Sequence, residues 1–137
     1  MAVAGKNILK AIGDLYDGAG GSALRALVNG LYYDQAEQTA SLPYIVFHII
    51  NMSPGRTFNA SELREDMLFQ FSIFDENRNV DAIWNIYDAL DALYDEATIT
   101  VTGYTSIAIL RESVVSPIWL DKCWQMSADY RWEIQKS

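Results

Sequence analysis

The residues of disulfide and metal chemistry are scarce in this sequence, which contains one cysteine, Cys123, and one histidine, His48. A single cysteine cannot form a disulfide within the chain, and this is typical of a reducing compartment. His48 has no second histidine, cysteine or acidic residue at ligand spacing, so we predict a structural histidine rather than a metal ligand. Cys123 has no histidine near it in sequence, and we predict a small core residue rather than a nucleophile.

Long apolar runs are also missing. No uninterrupted stretch approaches the roughly 20 residues of a membrane-spanning helix, so no membrane partner is expected. The first residues carry no run of signal-peptide length, which predicts a soluble protein made inside the cell. The chain is 50% hydrophobic and 12% aromatic, which excludes a disordered tail, and its 137 residues predict a single domain over residues 1–137.

Basic residues are few, with 10 Lys and Arg against 18 Asp and Glu, a net charge of -8. Nucleic-acid binding draws on several basic contacts to phosphates, so we expect no sequence-specific binding. Between residues 75 and 96 the acidic residues crowd together and Arg78 is the only base. They form either a solvated helix face or a surface that several copies present together. The candidate residues for such a surface are Asp81, Asp88, Asp91 and Asp95. No ligands of other types stand at set spacing from them, so they do not indicate a cation site.

Two short helices are predicted before any strand. Residues 7–16 place five apolar side chains on one helical face. Three glycines within residues 18–21 then break the helix, and Ser22 can cap a second one. No strand precedes these glycines and no Gly-Lys-Ser/Thr follows them, so they indicate a connector rather than a phosphate loop.

The first clear strand follows Pro43, because residues 44–50 are apolar on both faces apart from His48. This predicts a strand covered on both sides. Residues 51–65 then predict a loop longer than a plain hairpin requires. Phe58 is an apolar ring in that polar loop, and it either folds back on its own domain or contacts a partner. Arg56, Thr57 and Phe58 are therefore the interface candidates.

The second half of the chain alternates clearly. Residues 67–74 predict a half-buried strand, and residues 80–94 predict an amphipathic helix with Asn79 as its N-cap. Residues 98–102 and 106–115 favour β-structure, with a break at Pro117. Residues 124–135 carry the clearest period of two in the chain, which predicts one core face and one wet or partner-facing side.

These elements predict an α+β domain with a mainly antiparallel sheet of four to five strands and two or three helices packed on one face. The second face and the sheet edges then need a cover, and ring formation supplies one. No spacing indicates a catalytic pair, a metal site or a cofactor site, so we expect no enzyme and no cofactor. A small-molecule enzyme or ligand-binding domain and an acidic inhibitor- or immunity-like interaction protein are the alternatives from other classes.

The order of elements resembles the tail-completion proteins of long-tailed bacteriophages, also described as head-tail joining or tail-terminator proteins. The resemblance covers nearly the whole chain. It is most specific in residues 42–44, Thr57 and Phe58, residues 71–75 and residues 128–134. These motifs are packing patterns, and the family offers no catalytic residues to carry over.

The resemblance implies a virion protein, assembled in the host cytoplasm, that forms a ring, typically a hexamer, at the head-proximal end of the tail tube. There it would stop tube growth and offer a surface to the head connector. Arg56, Thr57 and Phe58 would contact the adjacent subunit or the tube protein. Asp81, Asp88, Asp91 and Asp95 would face the ring's inner wall or its solvent-facing shoulder, with DNA only passing through. A neighbouring neck-ring or head-completion protein of similar fold is the alternative.

Overall fold

A computed structural model describes residues 5–55, 64–99, 101 and 103–136. The described part of the chain forms three α-helices and five strands, with a 3-10 helix at Ala19–Gly21. In chain order they are α1 (Gly5–Asp17), α2 (Ser22–Arg25), β1 (Leu31–Tyr33), β2 (Tyr44–Gly55), β3 (Arg64–Asp75), α3 (Asp81–Tyr94), β4 (Tyr104–Leu120) and β5 (Cys123–Lys136).

The strands form one sheet in the order β1-β2-β3-β5-β4. β1 pairs with β2 in parallel, and the other neighbours are antiparallel. The predicted α+β class with a mainly antiparallel sheet is thus confirmed. β5 lies between β3 and β4, so β4 forms one edge of the sheet and the three-residue β1 forms the other.

The core lies between the helices and one face of the sheet. Alternate residues of β3 and β5 are fully buried there: Met67, Phe69, Phe71, Ile73, Ala128, Tyr130, Trp132 and Ile134. Tyr130 stacks on Phe69 with ring centroids 5.8 Å apart, and the α3 residue Tyr94 lies 4.7 Å from Phe71. Each large apolar side chain contributes roughly 1.5–3 kcal/mol on burial, so this face is a main source of hydrophobic stabilisation.

The apolar stripe of α3 follows the prediction. Ile83, Leu90 and Tyr94 are fully buried, and the Asn79 side-chain oxygen accepts a hydrogen bond of 3.0 Å from the Asp81 N–H at the start of the helix. The Tyr94 hydroxyl donates to the Ile12 carbonyl oxygen at 2.7 Å, which ties α3 to α1.

The glycine connector is a tight turn. A Cβ at Gly21 would lie 2.0 Å from the Tyr16 carbonyl oxygen, so a side chain there would force the backbone apart. The Arg25 guanidinium donates to the carbonyl oxygens of Tyr16 and Gly18 and closes the turn. The predicted cap at Ser22 was wrong: Gly21 holds the N-cap position of α2, and no side chain caps the helix.

Three boundaries differ from the sequence prediction. β2 continues to Gly55 and β3 begins at Arg64, because the polar residues after position 50 pair with residues 64–68. Residues 51–55 and 64–65 of the predicted loop are therefore strand. β4 continues through Pro117, where the register shifts between Val115 and Ile118. Proline has no N–H, and an edge strand tolerates it because the outward-facing N–H groups of such a strand have no partner strand to bond. In the described part of 98–102, the structure has a single bridge, between Val101 and Tyr104.

Candidate functional site

The face of the sheet opposite the helices, called the open face below, carries a row of polar side chains across four strands. His48, Gln70, Asp129 and Ser113 occupy successive register positions on β2, β3, β5 and β4. Gln70 donates to Asp129 Oδ1 at 2.8 Å, and the Ser113 hydroxyl lies 3.2 Å from Asp129 Oδ2 as a second donor. Asp129 therefore accepts two hydrogen bonds on the open face.

The polar row does not form a nucleophile-base relay. His48 and Ser113 are separated by two intervening strands, which places them about 14 Å apart at the usual strand spacing. A general base must lie within hydrogen-bond reach of its nucleophile. The row is suited to holding the sheet surface in register and to presenting polar groups to a partner.

A cavity of about 320 Å³ opens on the same face beside the β1–β2 edge. We call it the open-face cleft. It is lined by Asp34, Gln35, Ala36, Tyr44, Val46, His48, Ser72 and Phe74. The Asp34 N–H donates to the Phe47 carbonyl oxygen at 2.8 Å, which fixes the start of the segment after β1 against the sheet. The Tyr44 and Phe74 rings lie 5.4 Å apart and give the cleft an apolar wall.

The other edge of the sheet exposes apolar side chains. Among the β4 side chains that the structure describes, five large apolar ones are exposed: Leu110, Val115, Ile118, Trp119 and Leu120. The last three precede the turn at Asp121 and Lys122, and we call Ile118, Trp119 and Leu120 the hairpin tip. Trp119 makes an edge-on contact with Trp124 at 5.4 Å but stays 47% exposed. Ile118 pairs with Gln125 on the open face, whereas Trp119 pairs with Trp124 on the opposite face, so the tip exposes apolar side chains on both sides of the sheet.

The four acidic candidates fall into two pairs. Asp81 and Asp88 are exposed on α3. Asp91 and Asp95 are half-buried: Asp91 accepts a 2.8 Å hydrogen bond from the Tyr130 hydroxyl, and Asp95 accepts one of 2.8 Å from the Arg111 N–H. Asp91 and Asp95 thus dock the C-terminal half of α3 on β4 and β5.

Arg111 extends this contact. Its guanidinium donates to the Tyr87 hydroxyl at 2.6 Å and lies 3.7 Å from Asp91 Oδ2. Burial, followed by the hydrogen bond to Asp91, raises the pKa of Tyr130 far above the ordinary tyrosine value. Tyr130 is therefore a neutral donor at any physiological pH.

Of the remaining predicted residues, the structure describes Cys123 but not the three interface candidates. Arg56, Thr57 and Phe58 lie outside the described residues. Cys123 is buried, with Sγ 3.5 Å from the Leu120 carbonyl oxygen, which confirms a small core residue.

Neither a metal-binding cluster nor a membrane-spanning helix is present among the described residues. No three His, Cys, Asp or Glu side chains among them are placed to share a metal ion. None of their helices combines the length and the apolar character needed to cross a membrane.

Sequence comparison finds no matching protein family and no matching curated protein. Structure comparison does find counterparts. A chain of the virion of a native gene transfer agent particle aligns with a TM-score of 0.73 and 11% identity, over 88% of this chain and 91% of that chain. A second solved protein aligns with a TM-score of 0.65 and 13% identity, over 99% of both chains. At these identities the likeness shows a shared fold, and it extends over the whole described domain.

Proposed function

We propose that this chain is a structural virion protein, not an enzyme, that forms a ring at the head-proximal end of a phage tail tube. It ends tail growth and provides the joint to the head connector. The observation that carries the proposal is the fold shared along nearly the full length of a virion chain. The order of elements that resembles tail-completion proteins supports the same role.

The distribution of apolar surface supports assembly. Helices cover one face of the sheet, while the open face has a cleft and the β4 edge carries exposed apolar side chains. A subunit with different patches on opposite edges makes head-to-tail contacts, which close into a ring when the rotation between copies permits. A hexamer is the stoichiometry that we propose from the resemblance.

The exposed acidic pair is proposed to face the channel or the solvent-facing shoulder of the ring. Asp81 and Asp88 repeated in every copy would repel a polyanionic genome and keep it from adhering during passage. Asp91 and Asp95 could add to this charge only in part, since each already accepts a hydrogen bond within the subunit. The same division weakens the alternative of an acidic inhibitor, which would need the whole cluster available for a partner.

The tail tube protein and the head connector are the proposed partners besides other copies of the chain. Arg56, Thr57 and Phe58 remain the proposed contact with the adjacent subunit or the tube. A central aromatic anchor contributes about 2 kcal/mol or more to an interface, so Phe58→Ala should weaken assembly and spare the subunit fold. A lowered melting temperature with unchanged assembly would instead place Phe58 in the subunit's own core.

Electron microscopy of tails made with and without the protein tests the role directly. Without it, we expect tubes of uneven, excessive length that lack heads. Headless tubes of normal length would indicate the neighbouring neck protein instead. Normal particles in its absence would contradict both roles. A channel role for the acidic pair predicts that Asp81→Lys with Asp88→Lys leaves the ring intact and slows DNA passage in a salt-sensitive way.

A further inference from the structure

The open face holds a block of side chains with no net charge. Four register rows cross β2, β3, β5 and β4 there, from the row that joins Tyr44 to Ile118 to the row that joins Asn51 to Leu110. Four strands and four rows give sixteen positions, which we call the open-face grid. With His48 neutral, Asp129 and Arg131 are the only charged residues of the grid, so their charges cancel.

The two charged side chains of the grid already have partners within the subunit. Asp129 accepts hydrogen bonds from Gln70 and Ser113. Arg131 donates to both carboxylate oxygens of Glu112, at 2.8 and 3.2 Å. Burying a charged group is costly when it has no partner and less costly when it is paired. A second protein can therefore cover the grid without leaving an unpaired charge beneath it.

Register shifts in β4 direct its exposed apolar side chains onto the grid. Leu110, Val115 and Ile118 face the same side although they stand five and three residues apart. Odd spacing in an unbroken strand would send Val115 to the opposite face. The pairing with β5 shifts once within each interval, and each bulge restores the open-face direction. At 51%, 57% and 56% exposure, these three are the most exposed large apolar side chains among the described residues.

Charge returns at the borders of the grid. Beyond its last row, Asp66 pairs with Glu133, which places two acidic residues side by side on the open face. Beyond its first row lies the turn of Asp121 and Lys122. A centre depleted of charge within a polar rim is typical of protein–protein interfaces.

The grid is also large enough for a specific contact. Strands about 4.8 Å apart and same-face side chains about 6.7 Å apart give sixteen positions about 500 Å² before side-chain relief is added. Two surfaces of this size together bury about 1,000 Å², the lower bound for a biological interface.

We propose that a second copy of this chain packs on the open-face grid. The chain carries a net charge of -8, so two copies repel each other least where the contact surface is neutral. A basic partner would gain more from the acidic residues between positions 75 and 96 than from the grid. This inference rests on the proposed function, since it identifies the contact between subunits of the ring.

Matched substitutions on the two faces of β4 test the contact. Val115→Asp places a carboxylate in the grid, where a second copy would remove its water, and should weaken self-association about tenfold or more in sedimentation experiments. Trp119→Asp adds the same charge to the same strand on the opposite face, because Trp119 pairs with Trp124, and should leave self-association unaltered. Equal self-association of the parent and Val115→Asp, or a larger loss in Trp119→Asp, would overturn the proposal.

Photo-crosslinking identifies the occupant, and it decides the question if the free protein is monomeric or if Val115→Asp melts earlier than Trp119→Asp. p-Benzoylphenylalanine in place of Ser113, an exposed grid position, should give dimers of this chain in concentrated protein or in cells that assemble particles. The matched control carries the same group in place of the exposed Lys10 on α1 and should give none. Products with a different protein and no dimers, or no products in either setting, would contradict the proposal.

The contact and the role in the tail fail separately. Dimers crosslinked through position 113 in a protein whose removal leaves tails and heads normal would keep the contact and overturn the role. Tubes of excessive length in the absence of the protein, with no such dimers in its presence, would keep the role and overturn the contact.

Discussion

On the helix-covered face of the sheet, Phe69, Phe71 and Trp132 have no solvent exposure, whereas on the open face their chain neighbours Gln70 and Arg131 reach solvent. The same strands supply both sets, since successive side chains of a strand point to opposite faces. The covered face is a continuous aromatic and aliphatic layer. The open face joins its strands through hydrogen bonds to Asp129 and an ion pair between Arg131 and Glu112.

The two faces therefore differ in which property a mutation should affect. Changes to the covered face should unfold the subunit, because they leave cavities in a close-packed layer. Changes to the open face should spare the fold and alter only what the subunit contacts. Four substitutions or pH changes test this division.

Trp132→Ala should lose about 3–5 kcal/mol of unfolding free energy, because it empties a fully buried site and removes the indole N–H bond to the Ser106 hydroxyl. Its chain neighbour on the open face provides the control. Arg131→Ala breaks an exposed ion pair and should cost less than about 1 kcal/mol. Urea denaturation of both variants measures the difference, and similar costs would contradict the division between the faces.

Alkaline pH should destabilise the subunit through the covered face. Burial raises the pKa of Tyr94 and Tyr130 in the folded state above the ordinary value of 10. The stability that these neutral phenols contribute is fully present below about pH 10 and is lost as the pH rises, because the unfolded chain ionises first. Each tyrosine should cost up to about 1.4 kcal/mol per pH unit.

Denaturation midpoints at about pH 9 and pH 11 measure this loss. A Tyr94→Phe variant should show a shallower decline, since one of the two phenols is gone. An unchanged midpoint in the parent would mean that the two hydroxyls ionise as freely in the folded state as in the unfolded one.

Tyr130→Phe isolates the contact between α3 and the sheet. The variant keeps the buried ring and removes the hydroxyl that donates to the half-buried Asp91 carboxylate. We expect a loss of about 1–2 kcal/mol, somewhat below the usual value for a hydrogen bond to a charged group because Asp91 is partly solvated. Asp88→Asn, on the exposed side of the same helix, should cost less than about 0.5 kcal/mol. A larger loss in Asp88→Asn than in Tyr130→Phe would reverse the assignment of the two acidic pairs.

Gln70→Ala should have the smallest effect on the fold, less than about 1 kcal/mol, because Asp129 on the open face keeps Ser113 and water as donors. Thermal denaturation measures it, with Phe69→Ala as the matched covered-face change. Phe69→Ala should cost about 3–5 kcal/mol. A Gln70→Ala variant that melts as early as Phe69→Ala would show that the polar row, too, belongs to the structural core.

Period and composition predicted the elements that bury a regular face. The alternation of apolar and polar residues up to Ile134 corresponds to β5, and the helical spacing from Val80 to Tyr94 corresponds to α3. A regular element buries side chains at a regular interval, and that interval is visible in the sequence. β1 was not predicted. Its three residues are too few for a period, and their pairing with β2 determines the strand. The predicted break at Pro117 was wrong, because local sequence does not distinguish a proline on an edge strand from one that ends a strand.

The candidate site was predictable only in part. The acidic helix was found from its charge, but the sequence could not show that Asp91 and Asp95 accept hydrogen bonds from residues on β4 and β5. The polar row and the open-face cleft were missed for the same reason. They join residues as far apart in sequence as His48 and Asp129, and local sequence spacing does not determine the strand order that brings these residues together.

The place of β5 also bears on how the subunit is made. β5 follows the other described strands along the chain, yet it lies between β3 and β4. Until residue 136 has been synthesised, β3 has an unpaired edge and its aromatic side chains lack Tyr130 and Trp132. The sheet can therefore close only after β5 has been made, and until then the nascent chain presents the apolar edge of β3 to other chains. Chaperone contact during translation, or coexpression with an assembly partner, should raise the soluble yield.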